Sequence, residues 1–149
     1  MIKGGYIMDR IIKIIMLVFM GTLLVSTAYS ADTKAAKEIY TATATIDSSG
    51  VQKVEMLAGS YFFKPNDVIV KVNVPVEISI KKESGLVPHN IVLHAPEAGI
   101  DFDVSLGTEP KVIKFTPTKT GKYAFYCSKR FLFWTHRDKG MEGVLEVTE

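Results

Sequence analysis

Val68, Val70 and Val72 recur at every second position, and Val76, Ile78 and Ile80 do the same with Glu77, Ser79 and Lys81 between them. A period of two puts successive side chains on opposite faces, so these residues build strands with one face buried. The pattern repeats along the chain. Residues 40–46 alternate threonine and alanine, and a turn cluster at residues 47–50 leads into residues 51–57, which predicts a hairpin. Pro65 and Asn66 interrupt the next segment. Residues 89–93, 111–115, 121–127 and 144–147 read as further strands, whereas residues 95–110 lack strong periodicity and read as a loop with room for one helical turn. About eight short strands with turns every 8–12 residues and no amphipathic helix define an all-β chain, a Greek-key β-sandwich or barrel.

One domain occupies residues 38–149, preceded by a short polar stretch, residues 31–37, expected to be a flexible mature terminus. Residues 1–30 read as a signal peptide. Lys3, Arg10 and Lys13 precede an apolar run at residues 14–25, and Ala28 and Ser30 are small residues where a signal peptidase cuts. Read as an uncleaved anchor, that run is short for a span of about 20 residues. The mature protein is therefore expected to be exported, in the periplasm, with no membrane contact after cleavage. Subtracting Lys3, Arg10, Lys13 and Asp9 from totals of 18 basic and 16 acidic residues leaves 15 of each. The basic character lies in the leader, and no nucleic-acid partner is expected.

Cys127 is the single cysteine, so no internal disulfide can form. An unpaired thiol in an oxidising compartment must be buried or bound. A plain buried cysteine would satisfy that, but its neighbours point elsewhere. His136 and Met141 follow it in one loop between two strands, and His89 upstream supplies a second imidazole. Thiolate, two imidazoles and a thioether form a soft donor set that suits copper.

Two stretches carry a resemblance to a known family. The first is Phe63-x-Pro65-x-x-Val68-x-Val70, then Val76-x-Ile78-x-Ile80 and Pro88-His89-Asn90. The second is Phe115-x-Pro117-x-x-x-Gly121-x-Tyr123-x-Phe125-x-Cys127, then His136, Gly140-Met141 and Gly143-Val144-Leu145-Glu146-Val147. From about residue 58 to the C-terminus the chain resembles the cupredoxins, the blue-copper proteins that include plastocyanin and azurin. The resemblance implies one copper ion per chain, held by His89, Cys127 and His136 with Met141 axial. It also implies that the Asn90 side chain ties the two ligand loops together. His94, on the opposite strand face from His89, reads as a surface or structural histidine.

One departure stands out. Eight residues, 128–135 (SKRFLFWT), separate Cys127 from His136, more than familiar members carry. The longer loop raises the expectation of a tetragonally distorted, greener site. Its Phe131, Leu132, Phe133 and Trp134 either fold over the barrel mouth as a cover, the favoured reading, or form a docking surface. Lys129, Arg130, Arg137 and Lys139 beside them would steer an acidic partner or form a solvated rim.

The resemblance implies a monomeric electron carrier with a redox or copper-transfer protein partner; the alternative is a periplasmic copper tolerance or sequestration protein. No enzyme activity is expected. A multicopper enzyme needs histidines beyond the three present, and a binuclear copper centre needs two cysteines. A metal-free immunoglobulin-like binding module is the reading left if no metal binds.

Overall fold

In the structure, a computed structural model that describes residues 38–149, the alternating segments become strands of two main sheets. The expected signal peptide and flexible terminus, residues 1–37, lie outside the described residues. The strands are β1 (Thr41–Thr43), β2 (Thr45–Ile46), β3 (Gln52–Gly59), β4 (Phe62–Lys64), β5 (Asp67–Lys71), β6 (Val76–Lys82) and β7 (His89–Ala95). They continue as β8 (Ile100–Leu106), β9 (Lys111–Phe115), β10 (Gly121–Tyr126), β11 (Arg130–Phe131), β12 (Trp134–Thr135) and β13 (Glu142–Thr148). Eight of these, β3, β5 to β10 and β13, are five residues or longer.

One sheet runs β1-β5-β13-β10-β7-β8 and the other β2-β3-β6-β9, with β4 on β3. Both are mixed: β5 pairs in parallel with β1 and β13, and β3 in parallel with β6. The inward residues of the two sheets form one core. Val54, Met56, Ile78, Ile80 and Ile113 face Val68, Val70, Ile91, Leu93, Leu145 and Val147. Phe63 meets Phe125 edge to face at 5.4 Å between ring centres, joining the sheets through aromatic packing. A fully buried Val, Leu or Ile side chain of this kind is worth about 1.5–3 kcal/mol. The all-β sandwich is the observed fold.

Two local expectations are corrected. Residues 40–46 are not one strand: the chain leaves β5 after Thr43 and pairs with β3 from Thr45. Only the second half makes the expected hairpin, closed by Asp47, whose carboxylate accepts from the Ser49 and Val51 amides at 2.9 and 3.0 Å. The expected loop at residues 95–110 contains a 3-10 turn (Pro96–Ala98) and then the seven-residue strand β8 along the whole of β7. Ile100, Phe102, Val104 and Leu106 do alternate, but Asp101, Asp103 and Ser105 between them have poor strand propensity and hid the pattern. β8 is a sheet edge, where such charges guard against pairing with other chains.

Candidate metal centre

The two strand ends that carry the donors are held side by side. β10 pairs with β13 on one side and meets β7 on the other at Tyr126 and Val92. Cys127 sits one residue past β10, and its amide donates to the Met141 carbonyl at 3.0 Å. His89 opens β7 directly after Pro88. Backbone pairing therefore fixes Cys127, Met141 and His89 at one end of the sandwich.

His136 arrives there by a closed excursion. Residues 128–135, the long insertion, fold back on themselves as the hairpin β11–β12, with Phe131 opposite Trp134 and Arg130 opposite Thr135. The His136 amide then donates to the Lys129 carbonyl at 2.8 Å, continuing the ladder at the hairpin's base. The chain next makes one tight turn to Met141. The Thr135 amide donates to Asp138 Oδ2 at 2.8 Å while the Asp138 amide donates to Thr135 Oγ1 at 3.0 Å, a reciprocal cap. Gly140 ends the turn at φ 92°, a conformation glycine adopts without Cβ strain, and the Met141 amide returns to the His136 carbonyl at 3.0 Å.

Three donor atoms converge. Cys127 Sγ lies 3.4 Å from His136 Nδ1 and 4.0 Å from His89 Nδ1, and the two Nδ1 atoms are 3.2 Å apart. All three residues are buried. Such separations suit atoms sharing one first-row transition ion, with metal–nitrogen bonds of about 2.0 Å and metal–sulfur bonds of about 2.3 Å. Met141 is fully buried, and its backbone is hydrogen-bonded to both Cys127 and His136.

Electrostatics favour ligation. Burial, helped by the charges of His136 and Lys82, pushes the His89 imidazolium down to a pKa of about 4, and burial also lowers that of His136. Both rings are thus neutral near pH 7, with lone pairs free for an ion. Among the described residues, His136 Nε2 is the one buried side-chain nitrogen or oxygen without a hydrogen-bond partner. Such isolation costs about 1–3 kcal/mol, and an ion on Nδ1 would fix the ring proton at this Nε2.

Asn90 organises the surroundings as expected. Its Oδ1 accepts from the Ser128 amide at 2.9 Å and from the Cys127 thiol at 3.3 Å. Its Nδ2 donates to Asp103 Oδ1 at 2.7 Å and Ser128 Oγ at 2.9 Å, and its own amide points to Cys127 Sγ at 3.5 Å. The asparagine therefore locks the two ligand segments together. His94 is exposed and bonded to Asp101 at 2.9 Å, away from the cluster, as a surface histidine should be.

Two features were not legible in the sequence. Tyr61, at φ 69°, stands perpendicular to the His136 ring with centres 5.1 Å apart. No motif signals a tyrosine in a left-handed turn. The expected aromatic cover is also not what residues 131–134 form. Phe131, Leu132, Phe133 and Trp134 are all exposed, Phe133 by 83%, while His136 is 1% exposed.

No protein-family model and no curated protein sequence matches the chain. Solved structures do. The metal-binding domain of the Cu(I)-exporting P-type ATPase of Streptococcus pneumoniae, determined with Cu(I), is similar with a TM-score of 0.57 and 24% identity, over 75% of this chain and 99% of that one. Reduced auracyanin from Roseiflexus castenholzii is similar with a TM-score of 0.54 and 22% identity, over 65% of this chain and 97% of that one. A chain of a heme-copper terminal oxidase dimer is similar with a TM-score of 0.52 and 18% identity, over 97% and 99%. The fold is that of the cupredoxins.

Proposed function

We propose that this protein would bind one copper ion through His89 Nδ1, Cys127 Sγ and His136 Nδ1, with the Met141 thioether as a further, weak donor, and that it carries electrons. The observation that supports this reading is the convergence of the three buried donors within 3.2–4.0 Å of one another. A bound copper ion would supply a one-electron couple, and this donor set lies between the preferences of its two oxidation states.

The chain's own residues do the rest. His89 and His136 are held neutral, so no proton has to leave an imidazole before it binds. Asn90 Oδ1 holds the Ser128 amide next to Cys127, and the Asn90 amide points to the Cys127 sulfur, a contact that a thiolate would still accept. Burial of all three donors excludes water. The protein would then act as an exported monomer that exchanges electrons with a redox protein, and residues 1–30 would direct its export as a cleaved signal peptide.

A second reading, periplasmic copper sequestration or tolerance, draws support from His136 being 1% exposed, since a ligand closed to solvent favours retention. Reduction potential and electron self-exchange rate of the copper-loaded protein separate the two. Rapid self-exchange supports the carrier; tight binding with slow exchange supports sequestration.

A further inference from the structure

Residues 130–135 make a hairpin of two residue pairs whose tip is Leu132-Phe133. Turn positions usually carry Gly, Asn or Asp, yet here Leu132 takes φ 54°, a costly conformation for a bulky residue. Four consecutive apolar side chains, Phe131 to Trp134, are 52–83% exposed. Phe131 and Trp134 stand opposite each other and share one face of the ribbon, Arg130 and Thr135 share the other, and Leu132 and Phe133 project at the tip. It is a convex prong, not a flat patch, and Phe133 stacks edge-on against Trp134 at 6.2 Å.

The base of the prong is basic. Lys129, Arg130, Arg137 and Lys139 surround it, against Asp138 and Glu142; Glu142 pairs with Arg137 at 3.0 Å. Lys139 Nζ lies 4.6 Å from the centre of the Trp134 ring. A protein partner would need a socket deep enough to take the exposed Leu132-Phe133 tip together with the Phe131–Trp134 face. The headgroup–acyl boundary of a bilayer surrounds an inserted tip on every side, favours Trp and Phe there, and attracts a basic collar when the lipids are anionic.

We propose that this hairpin is a peripheral membrane anchor, inserting Leu132, Phe133 and Trp134 into the interface of an anionic lipid surface while Lys129, Arg130, Arg137 and Lys139 meet the headgroups. This runs against the expectation of no membrane contact after cleavage. It is compatible with the finding that no helix among the described residues is long and apolar enough to cross a membrane, because the prong lies in the interface and does not span. Insertion would hold the candidate metal centre, which shares the Cys127-to-His136 loop, at the bilayer surface.

Trp134 is the single tryptophan of the chain, so its fluorescence reports on the prong wherever else the chain touches lipid. The test uses the full chain, metal-free, with vesicles of phosphatidylcholine containing phosphatidylglycerol, beside phosphatidylcholine alone and a brominated phosphatidylcholine. Insertion shifts Trp134 emission to shorter wavelength on the anionic vesicles and lets the bromolipid quench it. Phe133→Asp at the exposed tip should weaken this response about tenfold or more, by loss of one buried aromatic side chain. Arg130→Glu should diminish the phosphatidylglycerol dependence. Trp134 emission that stays unshifted and unquenched with the anionic vesicles, whether or not the chain sediments with them, would overturn the proposal.

Discussion

Cys127 Sγ and His136 Nδ1 lie 3.4 Å apart although the eight residues of an exposed hairpin separate them in the chain. The hairpin leaves and returns at one place because the His136 amide closes onto the Lys129 carbonyl. The long loop thereby brings its chain back to the site, where the donors still converge.

It follows that the hairpin tip can be changed without touching the centre. The double substitution Phe131→Ser and Phe133→Ser should alter stability by no more than about 0.5 kcal/mol, as exposed positions do. The copper spectrum should be unchanged. Urea melts and a visible spectrum check both; a changed spectrum would mean that the aromatics do cover the site.

Asn90→Ala should be costly, because one buried side chain serves β7, β8 and the Cys127 segment together. Loss of these bonds leaves the Ser128 amide short of a partner and should cost about 2–4 kcal/mol. Copper should still bind but with an altered charge-transfer band, since the sulfur is no longer positioned. Denaturant unfolding and the spectrum of the variant decide this, and an unaffected melting midpoint contradicts it.

Gly143→Ala tests the pairing that sets Met141. A Cβ at residue 143 would come within 2.3 Å of Phe125 Cζ and 2.5 Å of the Asn66 carbonyl oxygen. The carbonyl cannot step aside as a flexible side chain could. Overpacking of this kind costs about 1–3 kcal/mol. Thermal unfolding of the variant beside the parent measures it; equal stability would show that β13 shifts freely.

Acid should weaken the metal-free protein. His89 titrates near its ordinary value of 6.5 in the unfolded chain but at about 4 in the fold, chiefly through burial. Between those values the unfolded chain holds the extra proton. The contribution is whole above about pH 6.5 and is lost as pH falls to about 4, an effect of roughly 3 kcal/mol. Burial of His136 acts in the same direction. Urea midpoints across this range check the slope, and a flat series would contradict the burial of His89.

Much of the fold was legible because alternation is a direct image of a half-buried strand. β6 and β9 start where the pattern starts, and β9 matches residue for residue. β8 was missed because aspartates stood at its outward positions, and those are tolerated at an edge without being strand formers. The clustering of His89, Cys127 and His136 was legible from residue type and spacing. Their surroundings were less so. Gln52 is buried and satisfied entirely by backbone, giving Nε2 to the Lys71 and Val74 carbonyls and accepting the Lys71 amide. Tyr61 reaches His136 from another part of the chain. Contacts to backbone and contacts made by an unusual φ leave no motif behind. The exposure of residues 131–134 was likewise unreadable, since a run of aromatics looks the same whether it covers a site or projects from it.

The most direct measurement is a visible absorption spectrum of the protein titrated with Cu(II), beside a Cys127→Ser control. An intense thiolate-to-copper band that saturates at one ion per chain and vanishes in the control is expected. The strength of its shorter-wavelength companion would report how far the site is distorted. A protein that stays colourless would contradict the ligand assignment and leave the three converging donors as a buried structural cluster.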